Sequence, residues 1–426
     1  MSEAKPNRLL ANKGFWALSV TQFFGAANDY LLKTLLVFSV ASQGVWDGLL
    51  GKGGQVYPNY SLVLPFLLFC AIAGQLADRH SKRTVTMRVK QAEIGLALLA
   101  LAGFWLGSVW VCLGAMLMLG IQSAFFSPAK YGLIPELVKP EQLSRANGII
   151  NLLTNLAAIV ATVVGGYLYT SYVADGEGSP EGRLWLPGVV MLVVAGLGLL
   201  AAMRIPKLKA GNPNGPMKWN PFSPLYSTLK EMKTGGTPIF TVVCLWSTFY
   251  LIAYSVMLIL PDYTSVLNID QVKVGTHLLG PLGISIGVGS ALAGWISGDG
   301  IKPRFVAIGA VGLTVSFFLL GNAPPKLEWV TAGIVSVGIF AGFYIVPLQA
   351  LMQKLSPDES RGRILGAAAA VSAVFELIGI AVFQVCRQVF DLPSQRIFIV
   401  VGVIALVATL IFYWKVRAQI NRPEWR

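Results

Sequence analysis

Apolar runs of about 20 residues, broken by short polar gaps, recur along almost the whole of this 426-residue chain. A run of that length crosses the hydrocarbon core of a bilayer as a helix, and backbone groups in lipid must bond within their own segment. Twelve such runs are read, near residues 14–40, 58–77, 86–107, 109–127, 146–170, 185–203, 238–260, 276–297, 304–321, 329–350, 363–386 and 396–414. The pattern predicts an all-α polytopic membrane protein with 12 transmembrane helices. An even number of crossings puts both ends on the same side.

The gaps carry positive charge that is alternately heavy and light. With the N-terminus in the cytoplasm, 26 of the 33 Lys and Arg fall in cytoplasmic segments and 6 on the opposite side, while Lys33 lies inside the first run. The positive-inside rule therefore puts both termini in the cytoplasm. The formal net charge of +13 is then the asymmetry of a membrane protein, not a nucleic-acid-binding face. It also attracts anionic lipid headgroups. Only 12% of residues are charged, against about 25% in soluble domains. The first run follows a basic head and is too long for the apolar part of a leader, so it is read as a span. Cys70, Cys112, Cys244 and Cys386 lie in or at the ends of runs, where a free thiol behaves as a small hydrophobe. No disulfide framework, metal set or cofactor is expected, and His80 and His277 stand far apart.

The gap at 204–237 is rich in Pro, Gly, Asn and Lys and reads as a cytoplasmic linker between a six-run segment, 1–203, and a second, 238–426. The two segments resemble each other. Pro128-Ala-Lys130 to Arg145-Ala-Asn-Gly148 follows the fourth run, and Pro347 to Arg361-Gly-Arg363-Ile-Leu-Gly366 follows the tenth. Arg145 and Gly148 match Arg363 and Gly366 at an offset of 218. Two pseudo-symmetric six-helix halves with a site between them are a common plan of secondary transporters.

Between the second and third runs stands Gly74-Gln-Leu76-Ala77-Asp78-Arg79-His80-Ser81-Lys82-Arg83. Gly74 lets neighbouring helices approach closely. Asp78 can accept bonds from a basic residue or a helix N-terminus across the turn, while Arg79, Lys82 and Arg83 hold it at headgroup level. The stretch resembles the signature of the major facilitator superfamily, and that resemblance covers the whole chain. It implies the major facilitator fold, a monomer, and a latch at this turn that closes the cytoplasmic side. The matching turn of the second half, Gly294 to Arg304 with Asp299, is degenerate, so a weaker latch is expected there.

A second stretch narrows the choice. Ser127-Pro128-Ala129-Lys130-Tyr131-Gly132, with Glu136-Leu137 and Ala146-Asn147-Gly148, is similar to the most recognisable segment of the bacterial lysophospholipid transporter family. Gln22-Phe-Phe-Gly25-Ala-Ala-Asn28-Asp29 resembles that family's first span. This resemblance is concentrated in the first five spans. It implies flipping of lysophospholipids, lysophosphatidylethanolamine foremost, from the outer to the inner leaflet of the bacterial inner membrane. A cytosolic acyltransferase would restore the second chain and is the implied partner.

Charged residues inside spans cost roughly 2.5–3.5 kcal/mol on insertion scales, so each is a candidate for function. Gln22, Asp29 and Lys33 share one helix face within about 40°, beside the small residues Gly25 and Ala26. That face suits a cavity wall, and the family resemblance makes Asp29, with Asn28 in the same motif, the candidate for the headgroup amine. Family members use a basic residue in the seventh span. Trp246 to Tyr254 contains none, so Lys33 is expected in its place, as a salt partner of Asp29 or a phosphate ligand. Asn147, Asn151 and Asn155 share a face of the fifth span, for interhelical bonding or, at Asn151, for substrate. Glu376 stands deep in the eleventh span, facing the cavity or receiving a proton. Lys130 and Glu136 are placed at the cytoplasmic mouth, Lys130 to meet the lipid phosphate. Glu136 and Arg145 join Gly74, Asp78, Arg79 and Arg83 as gating candidates. Glu93 reads as an ordinary interfacial residue. Tyr250 and Tyr254, with Trp246 and Phe249, would form an apolar wall for an acyl chain.

Two other readings fit the same chain. One is a proton-driven exporter of an amphipathic compound, using Asp29 and Glu376 as proton carriers. The other is a non-transporting scaffold that docks an acyltransferase on its basic face, for which intramembrane charges would serve no purpose. No nucleophile–base set, metal motif or nucleotide-binding loop points to an enzyme.

Overall fold

The computed structural model describes residues 9–40, 44–50, 56–173, 183–269, 271–298 and 300–417. Lys5, Arg8, Lys52, Arg422 and Arg426 of the charge count, and Asp299 of the second-half turn, lie outside these residues. Among the described residues twelve long helices follow the twelve apolar runs. In the first half they are α1 (Lys13–Ser39), α2 (Val56–Arg79), α3 (Lys82–Trp105), α4 (Val109–Leu137), α5 (Leu143–Val173) and α6 (Leu186–Met203). In the second they are α7 (Ile239–Ile259), α8 (Gly280–Ile296), α9 (Arg304–Asn322), α10 (Leu327–Leu355), α11 (Arg361–Gln388) and α12 (Ser394–Arg417). Ten of them are long and apolar enough to cross a membrane by length and composition. The other two, α1 and α3, hold Asp29, Lys33, Lys90 and Glu93, the residues from which the candidate site is built.

Helices outrun the apolar pattern at the basic end. α4 continues to Leu137 and α10 to Leu355, through Pro128, Pro135 and Pro347. A proline removes one backbone bond, and a bundle can re-satisfy the freed groups locally. Lys130 and Glu136 therefore lie on the last turns of α4, at its basic end. The 204–237 gap holds a short amphipathic helix, Phe222–Thr234, which buries Pro224, Thr228 and Met232 and packs on α2 and α11. Before α8 the chain makes a π turn over Gly275–Leu279. Pro281 explains it, since the proline lacks the N–H that would continue an α-helical ladder.

Helix contacts repeat at an offset of six. α1 packs on α4, α5 and α6 as α7 packs on α10, α11 and α12, and the α2–α4, α3–α4 and α3–α6 contacts recur as α8–α10, α9–α10 and α9–α12. Between the halves α5 meets α8 and α2 meets α11. Both junctions depend on missing side chains. A Cβ at Gly74 would overlap the Gly362 carbonyl, and one at Gly148 would overlap the Ser290 carbonyl. The start of α1 is also docked. Asn12 caps α1 by accepting from the Phe15 N–H at 3.0 Å, and donates to the Leu137 carbonyl at the end of α4 at 2.6 Å.

Candidate functional site

The polar residues of α1 meet α3 and α4 in one buried network. Lys90 and Glu93, one turn apart on α3, form an ion pair at 2.5 Å with both side chains about 1% exposed. Glu93 also accepts from Asn28 Nδ2 at 3.1 Å and from Gln122 Nε2 at 3.1 Å. Glu93 is thus the hub of an intramembrane network, not an interfacial residue, because α3 turns this face onto α1 and α4 instead of lipid. The Lys90 ammonium fills the space a side chain at Gly25 would need, and lies 5.1 Å from the Phe126 ring centre. A buried ion pair is tolerated when its remaining donors and acceptors are met.

Asp29 sits at the edge of this network. Its Oδ2 accepts from Ser123 Oγ at 2.7 Å, and Gln122 Oε1 lies 3.2 Å from the same hydroxyl as an alternative acceptor. Lys90, Lys130 and Glu93 lie within electrostatic reach of Asp29. Lys130 rests on aromatic faces, 4.4 Å from the Tyr131 centroid and 5.9 Å from that of Phe126. Among the described residues neither Asp29 nor Lys130 belongs to a closed ion pair, in contrast to Lys90 and Glu93.

Lys33 does not pair with Asp29. It lies 5.6 Å over the Tyr30 ring and within reach of Glu376 on α11, so its opposite charge comes from the other half. Glu376 interacts in turn with Tyr254 of α7. Tyr131 of α4 meets Trp246 of α7 edge-on at 6.4 Å, and Trp246 meets Tyr250 at 4.9 Å. An aromatic wall therefore begins at the residue next to Lys130 and runs onto the second half. Gln22 is spent elsewhere, donating to Thr154 on α5 at 3.1 Å.

The basic end is closed by contacts between the halves. Asp78 accepts from the backbone N–H groups of Gly362 at 2.6 Å and Arg363 at 2.9 Å, the first turn of α11. A helix N-terminus favours such an anion. The sequence raised this chemistry for Asp78, but the helix it caps is in the opposite half, not across its own turn. Asn147 donates to Gln353 Oε1 at 2.6 Å and Asn151 to Gln349 Oε1 at 2.9 Å, joining α5 to α10. Gln353 Nε2 also donates to the Tyr131 carbonyl at 3.2 Å. The other gating candidates make different contacts. Glu136 pairs with the buried Lys82 at 2.5 Å, Arg83 donates to the Ile205 carbonyl at 2.6 Å, and Arg79 is exposed. Arg145 lies at the α5–α8 junction, its backbone against Gly294.

Sequence reasoning missed Lys90, Glu93, Gln122, Ser123, Gln349 and Gln353. One signal was available: Gln349 and Gln353 share the i, i+4 spacing of Asn147 and Asn151. Nothing comparable marks Ser123.

The Major Facilitator Superfamily family matches residues 18–380 of the chain. Among similar sequences is one named Lysophospholipid transporter LplT of Pectobacterium carotovorum subsp. carotovorum, 25% identical over 360 residues, with 83% of this chain and 81% of that protein covered. Another of the same name, from Salmonella gallinarum, is 28% identical over 370 residues and covers 83% of each chain. Among solved structures, the human organic anion transporter MFSD10 superposes with a TM-score of 0.73 at 15% identity, covering 93% of this chain and 99% of that one. The transporter FucP in its outward conformation gives 0.71 at 12% identity, covering 93% and 98%. Family and structural neighbours alike are transporters, and the fold, the half-to-half contacts and the match over most of the sequence agree: this chain belongs to the major facilitator superfamily.

Proposed function

We propose that this membrane transporter flips lysophospholipids, lysophosphatidylethanolamine first among them, from the outer to the inner leaflet of the bacterial inner membrane by alternating access. It would work as a monomer with both termini in the cytoplasm, as two bundles, 1–203 and 238–426, joined by the 204–237 linker. An acyltransferase inside would consume the delivered lipid. The observation that carries the reading is the pair of unclosed charges, Asp29 and Lys130, beside an aromatic wall. A zwitterionic headgroup offers an ammonium for Asp29 and a phosphate for Lys130. The single acyl chain of a lysolipid would lie along Tyr131, Trp246 and Tyr250, with Tyr254 beyond them. The similarity to proteins named as lysophospholipid transporters supports the substrate class. Binding draws on both halves, so closure around the lipid is coupled to their rocking.

The test follows labelled lysophosphatidylethanolamine in the outer leaflet of reconstituted proteoliposomes. Inward movement without a proton gradient is expected for the wild type. A loss of at least tenfold is expected for Asp29→Asn and for Lys130→Gln. A lysolipid lacking the amine should move at a rate that Asp29→Asn leaves unchanged. Movement no faster than in empty liposomes overturns the lipid reading. That outcome promotes the proton-driven exporter, with Asp29 and Glu376 as its proton carriers.

A further inference from the structure

We infer that the outer face of the first half carries a built-in binding groove for one anionic phospholipid, between α3 and α4. Two adjoining clefts share Arg88, Val89 and Phe125 as lining residues and so form one continuous trough. On α3 it is lined by Thr84, Arg88, Ala92 and Leu96, spaced four apart and therefore on one face. On α4 it is lined by Met118, Ile121 and Phe125, an i, i+3, i+7 stripe. The small side chain of Ala92, exposed between Arg88 and Leu96, leaves the trough open.

Its length and chemistry select the occupant. From Thr84 to Leu96 the helix rises about 18 Å, close to the roughly 15 Å of hydrocarbon in one leaflet plus a headgroup. Beyond Arg88 the lining is apolar except for Gln122, whose amide is turned to Glu93, and it suits an acyl chain. At the basic end the Arg88 side chain is exposed and makes no ion pair or hydrogen bond among the described residues. His80 Nδ1, in the same cleft, is buried without a hydrogen-bond partner among them. A guanidinium on an interfacial helix turn, an unmet imidazole nitrogen and a leaflet-long apolar trough fit a phosphate with an acyl chain below it. The charge asymmetry of the chain assigns that lipid to the cytoplasmic leaflet, where anionic lipids attract basic segments. The groove does not rest on the transport reading, and neither stands or falls with the other.

Native mass spectrometry of the full chain, released from detergent and titrated with phosphatidylglycerol or phosphatidylcholine, tests this. The wild type should bind one phosphatidylglycerol at least fivefold more tightly than phosphatidylcholine. Ala92→Phe should abolish that single adduct, and Arg88→Gln should erase the headgroup preference. Leu98→Phe, on an exposed face about 120° away, should change neither. Equal adducts in Ala92→Phe and Leu98→Phe, or no preference between the two lipids in the wild type, would show ordinary annular lipid and overturn the site.

Discussion

Asp78, on the last turn of α2, closes on the N-terminus of α11 through Gly362, whose N–H it accepts at 2.6 Å. The bond is possible because Gly74, one turn earlier, lets the two backbones touch. Sequence-distant residues thus form a latch in which a carboxylate neutralises a helix end of the opposite half.

Removing that carboxylate should loosen the closed basic end. A buried anion at a helix N-terminus contributes up to about 2 kcal/mol, and 1.4 kcal/mol is tenfold in an equilibrium. Asp78→Ala should therefore shift the population toward the opened state by about tenfold or more. Spin labels at Arg79 and Glu359, read by pulsed electron resonance, should report longer distances in the variant. An unchanged distance distribution would sink the latch.

Arg363 also faces Glu231 of the linker helix at 3.4 Å, but here both side chains are partly exposed, 32% and 52%. Exposed pairs contribute about 0–1 kcal/mol and are screened by salt. Glu231→Ala should leave transport within twofold of wild type, with any residual effect fading at high salt. A loss as large as that of Asp78→Ala would mean the linker itself holds the gate.

The Lys90–Glu93 pair should behave as a buried structural pair. Breaking one by truncating a partner costs about 3–5 kcal/mol. Lys90→Met should lower the melting temperature in detergent by many degrees. Gly25→Ala, whose methyl would overlap the ammonium, should do so less, and should add little on top of Lys90→Met. Additive losses in the double variant would show that Gly25 acts elsewhere.

Asn147 and Gln353 exchange bonds across the halves, with Gln353 Nε2 donating back to Asn147 Oδ1 at 3.2 Å. Interhelical bonds in membranes average about 0.6 kcal/mol. A double-mutant cycle with Asn147→Ala and Gln353→Ala should give a coupling of that order in thermal unfolding. So weak a tie suits a junction that must open in every cycle; a coupling of several kcal/mol would argue for a permanently locked joint.

Much of the architecture was legible because hydropathy and charge are read locally. Twelve apolar runs became twelve helices, and the matched Arg145 and Arg363 segments became α5 and α11, which each meet the other half. The runs ended the fourth helix near residue 127, short of Lys130, since Pro128 and Pro135 look like helix stops and a packed bundle tolerates them. For the site, the 7 and 4 spacing of Gln22, Asp29 and Lys33 put the polar stripe on one face. It could not reveal that Gln22 bonds α5, Asp29 meets Ser123 and Lys33 turns to Glu376.

By itself, then, the sequence determined the number of long apolar helices, the duplicated plan and which helices carry the charges. A helix must bury its own backbone bonds wherever it sits, and the cost of a charge in lipid depends on its position along the helix. Only the tertiary structure decided which charges close on each other and which remain open. Periodicity names the face of a helix, but the residue opposite that face comes from a distant segment whose rotation and register are set by packing. That is how Glu93, seemingly at an edge, became the centre of a network, while Asp29 and Lys130 were left unclosed at the head of an aromatic wall.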